Sequence, residues 1–323
     1  MNKTPRVMIL DREPAPLVTR LQEVMPDLIT KGCDSYDGVD DVLRAFQPDV
    51  LYSITYAGRV GYPREAVFGP HGPEWIAVGG SGVDHLDRWD ADKVTVTNSA
   101  GSASAMMAEY VFGTVLHFTL DIAGLQADQQ AHHWDAMRSV SPLKGKTMLI
   151  VGLGHTGQAV AQRAKAFGMH VIGTRSRPTP MDNVDAVHAS TDLPDLWAQA
   201  DVVVLSVPLV DSTRGLVDAL AFAAMKETAI LVDVSRGGVI QQDAMINALR
   251  NGSIAAAALD VFEEEPLPKD SPIWALDNVI LSPHCSAVYE EWAMQSFEMF
   301  IDNLRNWRTG KPLFNVVDPA RGY

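Results

Sequence analysis

The stretch Lys144-Gly145-Lys146-Thr147-Met148-Leu149-Ile150-Val151-Gly152-Leu153-Gly154-His155-Thr156-Gly157 decides how this chain is read. Met148 to Val151 is a short apolar run of strand type, and the glycines at 152, 154 and 157 follow it as G-x-G-x-x-G. From Gln158 to Phe167, Val160, Ala161, Ala164 and Phe167 recur at helical spacing, and Gly168 stands where a helix C-cap glycine belongs. Strand, glycine loop and helix in that order form the start of a dinucleotide-binding fold. One glycine serves the tight turn, one the close approach of backbone to a pyrophosphate, and one the close packing of helix on strand. The helix N-terminus then aims amide N–H groups at the phosphates. Gly152, Leu153, Gly154, His155, Thr156 and Gly157 are therefore expected to hold the cofactor. Glycines also cluster in plain surface turns; the flanking strand and helix separate the two cases.

Downstream, apolar runs predict strands at Val171–Thr174, Val202–Val207, Ile230–Val234, Ala256–Asp260 and Val279–Ser282, with helices at Leu193–Ala200, Asp218–Lys226 and Gln242–Asn251. With Met148–Val151 these make six strands with crossovers, a complete doubly wound domain. Upstream, strands at Arg6–Leu10, Asp49–Ile54, Trp75–Val78 and Val94–Thr97 alternate with helices at Ala15–Met25 and Val39–Phe46, which predicts a second parallel sheet. The apolar stretch Ala103–Leu120 is interrupted by Glu109 and His117, so it reads as a buried helix and not a membrane span. Asp121 to Val140 is more polar, with Trp134 expected as a packing anchor. The amphipathic segment Glu290–Trp307 is expected to return to the first domain. The expected fold is α/β, with two doubly wound parallel-sheet domains: residues 1–101 with 288–323 as the substrate-binding domain, and 102–287 as the dinucleotide-binding domain.

Composition narrows the function. With 26 Lys+Arg against 40 Asp+Glu, the net charge of -14 argues against sequence-independent nucleic-acid binding, which relies on basic side chains neutralising phosphates. An anionic small molecule needs only local positive charge and stays open. Cys33 and Cys285 have no metal-ligand spacing and form no paired framework, so no metal and a reducing cytoplasm are expected. The apolar-leaning residues before Asp11 are too few for a signal peptide. Cys285 is read as inert packing.

Three segments at the C-terminal ends of the late strands hold reactive side chains: Asp233-Val234-Ser235-Arg236-Gly237-Gly238, Asp260-Val261-Phe262-Glu263-Glu264-Glu265-Pro266 and Ser282-Pro283-His284-Cys285-Ser286. Glu265 lies 29 positions after Arg236, and His284 lies 19 after Glu265. In that order and spacing, behind the Gly-Leu-Gly-x-x-Gly loop, the chain resembles the D-isomer-specific 2-hydroxyacid dehydrogenases, which include glyoxylate and hydroxypyruvate reductases. The resemblance runs over nearly the full length and extends to Gly80-Ser81-Gly82-Val83-Asp84-His85-Leu86-Asp87 and the Ala108-Glu109 pair. Formate dehydrogenases of the family carry glutamine where this chain has Glu265.

The residues suit the chemistry. Reduction of a 2-keto acid requires a cation for the carboxylate and the polarised carbonyl, a hydride donor, and an acid for the new alkoxide. Arg236 offers a guanidinium that pairs with a carboxylate through two parallel hydrogen bonds. His284 offers an imidazole, a side chain that ordinarily titrates at about pH 6.5. Glu265 on the other ring nitrogen would favour the imidazolium and fix its orientation. Taken singly, each has an ordinary structural reading as an ion pair, a solvated acid or a loop histidine.

The resemblance implies further roles. Ser81 and Gly82 would bind the substrate carboxylate through main-chain N–H groups. Asp260 and the Ser235 carbonyl would meet the nicotinamide carboxamide, and Val207 and Pro208 would lie against the cofactor; Asp260 otherwise reads as a buried group shaping its loop. Ser53 and Ile54, with Thr55, are expected to line the substrate pocket together with Arg236 and His284. Short polar side chains there favour a small hydrophilic 2-keto acid such as glyoxylate or hydroxypyruvate, while Tyr52, Tyr56 and Trp292 leave a larger pocket open. The domains are expected to close about segments near Ser102 and Ala287, and the resemblance implies a homodimer built through the Ala103–Leu120 helix. A different class, a nucleotide-sensing corepressor of the same fold, would be expected to carry disordered tails, whereas this chain begins and ends close to its expected elements.

Cofactor choice is read after the second strand of the nucleotide fold. Thr174 leads into Arg175-Ser176-Arg177, where an NAD-dependent fold usually places a carboxylate for the ribose 2′-hydroxyl and where arginine accommodates a 2′-phosphate. NADP(H) is favoured; NAD stays possible because Asp182 is close in sequence.

Overall fold

The structure is a computed structural model and describes residues 4–55 and 61–322. The chain divides into two compact units, Met1–Ser102 with Tyr289–Tyr323, and Ala103–Val288.

The first unit is built on a five-stranded parallel sheet of β1 (Arg6–Leu10), β2 (Ile29–Cys33), β3 (Val50–Ser53), β4 (Trp75–Val78) and β5 (Thr95–Asn98), in the order β2-β1-β3-β4-β5. β1, β3 and β4 are almost wholly buried because helices cover both faces of a parallel sheet. β2 is the one strand of this sheet that the sequence pattern does not signal. It lies at an edge and is half exposed, so Ile29-Thr30-Lys31-Gly32-Cys33 needs no apolar run. The helix Trp292–Arg308 belongs to this unit and sends Phe297, Phe300, Ile301 and Leu304 into the core against Tyr52 and Trp75. The Tyr52 and Phe297 rings meet edge to face at 4.9 Å. Tyr52 is thus core rather than pocket wall, Trp292 packs against the same cluster, and Tyr56 lies outside the described residues.

The second unit holds seven parallel strands: β6 (Thr147–Val151), β7 (His170–Thr174), β8 (Ala186–His188), β9 (Val202–Leu205), β10 (Ile230–Asp233), β11 (Ala256–Leu259) and β12 (Val279–Leu281). Their order is β12-β11-β10-β9-β6-β7-β8. The sequence predicts six; the seventh, β8, is three half-buried residues at an edge, too short for a periodic signal. The order reverses at β6, which has β7 on one side and β9 on the other. Ligands bind outside the carboxyl ends of strands at such a switch point.

Two local expectations fail. The helix expected over 193–200 is one turn of α-helix, Leu193–Leu196, followed by a 3-10 turn, Trp197–Gln199, that drives Trp197 into the core. Trp134 is not a packing anchor: it is 90% exposed and Met137 is 88% exposed. The preceding helix, Ile122–Gln130, has no buried residue, so the segment offers the indole no apolar wall. Among the described residues, no helix is long and apolar enough to cross a membrane.

Candidate active site

The glycine loop leaves the end of β6 at the switch point, and Gly152 and Gly157 each have a distinct steric reason. Gly152 adopts φ +101°, and a Cβ there would stand 2.8 Å from the Ser206 carbonyl oxygen and from Val207. A Cβ on Gly157 would stand 2.1 Å from the Gly152 carbonyl oxygen, so only glycine lets this helix start so close to the loop. Around Gly154 nothing lies within 4 Å of an added Cβ; this is the open side, where another molecule's phosphates can approach the backbone. The helix His155–Ala166 begins directly after it. The loop is anchored by Gly152 and Leu153 N–H groups on the Thr174 carbonyl, at 3.2 and 2.9 Å, and by Ser206 Oγ on the Gly152 carbonyl at 2.8 Å. A cradle with a bare backbone wall and a helix N-terminus fits a dinucleotide pyrophosphate.

At the end of β7, Thr174 is buried and Arg175 is half-buried, while Ser176 and Arg177 are exposed. Arg175 Nη1 lies 3.2 Å from Met181 Sδ, and the Arg175 N–H is held by the His188 carbonyl of β8. Asp182 is exposed on the following turn. Val207 and Pro208, both half-buried, follow β9 on the far side of the glycine loop.

Arg236, Glu265 and His284 come from the loops after β10, β11 and β12, which are adjacent strands. His284 Nδ1 stands 2.9 Å from Glu265 Oε2, and Glu265 Oε1 accepts the Phe262 backbone N–H at 3.0 Å. Burial alone would raise the Glu265 carboxyl. The hydrogen bonds from His284 and Phe262, with the charges of His284 and Arg236, outweigh it and hold the group below the usual carboxylate range. The histidine backbone is in the left-handed region, φ +53°, and its N–H is held by the Asp260 carbonyl at 2.9 Å. Arg236 Nη1 donates to the Ser235 carbonyl at 2.7 Å.

Asp260 is 1% exposed and already committed: Oδ1 accepts from Ser282 Oγ (2.6 Å) and the Cys285 N–H (2.8 Å), and Oδ2 accepts from the Ser286 N–H (3.0 Å). It therefore shapes the His284 loop. Cys285 is half-buried, and burial together with the Asp260 charge pushes its thiol up, away from a reactive thiolate.

Three contributors are not legible in the sequence. A Cβ on Gly237 would stand 1.8 Å from the Phe262 carbonyl oxygen, so this glycine is what lets the Arg236 loop lie against the Glu265 loop. Tyr110 Oη meets Ser282 Oγ at 2.7 Å and extends the chain of hydrogen bonds to Asp260. Asp233 is pushed up to about 7, chiefly by burial and also by the nearby Asp260, against hydrogen bonds from Ser235 N and Oγ at 2.9 and 2.5 Å. The only signal in the sequence is a polar residue at the end of an apolar strand, which must find partners when buried.

The first unit carries the other expected residues. Ser81 is exposed and Gly82 half-buried in the loop after β4. Ser53, the last residue of β3, and Ile54, directly after it, are 0% and 1% exposed, and the Ile54 side chain belongs to the core. Ile54 lies under the Gly79 turn, where a Gly79 Cβ would meet it at 2.1 Å.

The family model described as D-isomer specific 2-hydroxyacid dehydrogenase, NAD binding domain, matches residues 112–286, more than half of the chain. A glyoxylate reductase of Aeropyrum pernix is 36% identical over 251 residues, 73% of this chain and 74% of that protein. A D-3-phosphoglycerate dehydrogenase of Methanocaldococcus jannaschii is 38% identical over 247 residues, 75% of this chain but only 47% of that longer protein. Among solved structures, a D-isomer specific 2-hydroxyacid dehydrogenase from Xanthobacter autotrophicus Py2, in complex with NADPH and MES, superposes with a TM-score of 0.84 at 30% identity, covering 99% of this chain and all of that one. Matched in its nucleotide fold and aligned with such a structure over almost its whole length, the chain belongs to the D-isomer-specific 2-hydroxyacid dehydrogenase family.

Proposed function

We propose that the protein reduces a small 2-keto acid, of the glyoxylate or hydroxypyruvate kind, to the D-2-hydroxy acid, with NADPH favoured over NADH. The observation that carries the reading is the His284–Glu265 pair at 2.9 Å beside the Arg236 loop, at the strand ends next to the glycine cradle. The second unit is the cofactor domain in this reading: Gly152 to Gly157, Thr174, Val207 and Pro208 hold the dinucleotide, and Ser235 and Asp260 border its nicotinamide. The reduced nicotinamide, when bound, supplies the hydride. Arg175, Ser176 and Arg177 bind the 2′-phosphate, since two guanidiniums and a hydroxyl follow β7 where that group is read. Arg236 pairs with the substrate carboxylate and polarises the carbonyl. His284, held through Nδ1 by Glu265, keeps Nε2 for the substrate oxygen and gives its proton to the alkoxide as the C–H bond forms. Ser81 and Gly82, in the first unit, offer main-chain N–H groups to a substrate carboxylate.

The protein acts as a homodimer in this reading, and the large exposure of Trp134 and Met137 supports a surface that a second copy covers. Two free half-buried thiols suit the cytoplasm.

Steady-state assays of a panel of 2-keto acids with NADPH and NADH test the proposal. Turnover of a short 2-keto acid with higher kcat/KM for NADPH is expected. Tight cofactor binding without turnover of any keto acid would replace it with the nucleotide-sensing reading.

A further inference from the structure

The loop after β4 is organised by its carbonyls. Gly79 O accepts from Ser296 Oγ at 2.6 Å, Gly80 O from the Ser99 N–H at 3.0 Å, and Ser81 O from Asn98 Nδ2 at 2.7 Å. In a trans peptide the C=O and the next N–H point to opposite sides, so fixing three successive carbonyls inward fixes the N–H groups of Gly80, Ser81 and Gly82 outward. None of these N–H groups donates to an acceptor among the described residues. A row of oriented, unspent amides is an anion-binding concavity, and a carboxylate is the anion that the proposed reaction brings to it.

Two of the three donors to these carbonyls come from the end of β5, Asn98, and the residue after it, Ser99. The third, Ser296, is 217 residues away in the helix Trp292–Arg308, is fully buried, and sits beside two other hydroxyls. Tyr52 Oη lies 3.1 Å from Ser296 Oγ, and Ser99 Oγ lies 2.9 Å from it and 3.1 Å from the Val78 carbonyl. A carbonyl can only accept, so Ser296 is the donor to Gly79 O, while at the Tyr52 contact either hydroxyl can donate. Gly79 has no freedom to slide, because its Cα faces Ile54 and the Tyr52 hydroxyl, which a Cβ would meet at 2.1 and 2.5 Å. At this peptide Ser296 supplies the hydrogen bond that holds the carbonyl's direction.

We infer that Ser296 is a positioning residue for substrate: it sets the Gly79–Gly80 peptide plane and so the carboxylate affinity of the Gly80–Gly82 amides. This rests on the proposed 2-keto acid chemistry. It concerns the loop and not the hydride or proton steps, so its loss should appear in carboxylate binding and KM, with kcat and cofactor affinity spared.

The test compares wild type, Ser296→Ala and Ser296→Cys in the full chain with NADP(H) present. Oxalate affinity is measured by titration calorimetry and keto-acid kinetics by NADPH oxidation. Loss of one such hydrogen bond predicts oxalate affinity lower by roughly 3- to 10-fold in the alanine variant, with an equal rise in KM and kcat within about twofold. The thiol, a weaker donor of similar size, should fall between, and it carries the test if the alanine variant does not fold. Tyr52→Phe, which leaves the Ser296–Gly79 bond in place, should stay close to wild type. Unchanged oxalate affinity in the folded Ser296 variants overturns the inference. A wild type that binds oxalate but reduces no 2-keto acid overturns the reductase reading alone, and the affinity ratio of the variants still decides the role of Ser296.

Discussion

Replacing Glu265 with glutamine keeps the size of the side chain and removes its capacity to accept twice. The carboxylate takes His284 Nδ1 on one oxygen at 2.9 Å and the Phe262 N–H on the other at 3.0 Å. A glutamine has one oxygen and one NH2 group. Turned one way it serves Phe262 and aims its own hydrogens at Nδ1; turned the other way it serves the imidazole and aims them at the Phe262 N–H. When the ring carries both protons, one donor therefore faces another, which adds about 1–3 kcal/mol to that state. The lost negative charge adds about 1 kcal/mol, since solvent partly screens a pair whose side chains are 31% and 23% exposed. A penalty of about 2–4 kcal/mol against the proton-donating form corresponds to roughly 30- to 1,000-fold in kcat/KM. Glu265→Gln should show that loss in steady-state reduction of the preferred keto acid, with NADPH affinity by fluorescence titration within about twofold of wild type. Activity within about threefold of wild type, across the neutral range, would show that the ring does not depend on this carboxylate.

Other outcomes follow from single features. Arg175→Asp should lower the NADPH-to-NADH ratio of kcat/KM by at least about 10-fold, because it replaces a charge-assisted phosphate contact with repulsion; an unchanged ratio removes Arg175 from the 2′-phosphate site. Gly157→Ala must displace the Gly152 carbonyl that a Cβ would meet at 2.1 Å, so calorimetry should show a clear loss of thermal stability and at least about 10-fold weaker cofactor binding; wild-type values for both would refute the packing argument. The Lys165 ammonium first, then the Val171 N–H, hold the Asp185 carboxyl below the usual aspartate range against a smaller effect of burial. Its folded value lies below the unfolded one, so the stabilisation is complete above about pH 4 and fades as pH falls through the folded value. Asp185→Asn should therefore lower Tm at neutral pH and converge on wild type in acid; a deficit that persists there would point to lost packing instead.

Much of this protein was legible in its sequence because the relevant physics is local. Val151 to Gly157 encodes its turn, its bare backbone and its helix start within a few residues, and the structure gives Gly152 and Gly157 a nearby steric reason and leaves Gly154 facing open space. Apolar runs announced the central strands because a strand covered on both faces has nowhere to place polar side chains. The edge strands β2 and β8 escaped for the opposite reason: half in water, they need only backbone pairing. Trp134 misled because an indole counts as core until the surrounding surface is known, and its own segment buries nothing. The order Arg236, Glu265, His284 marked the reactive residues, but only three adjacent strands, with Gly237 lying under the Phe262 carbonyl, bring Nδ1 to 2.9 Å from Oε2. The contacts of Ser296 with Gly79, and of Tyr110 with Ser282, span 217 and 172 residues. A hydroxyl in the sequence carries no sign of its partner. That partner is decided by the sheet and helix that enclose it, and by the requirement that a buried polar group be satisfied.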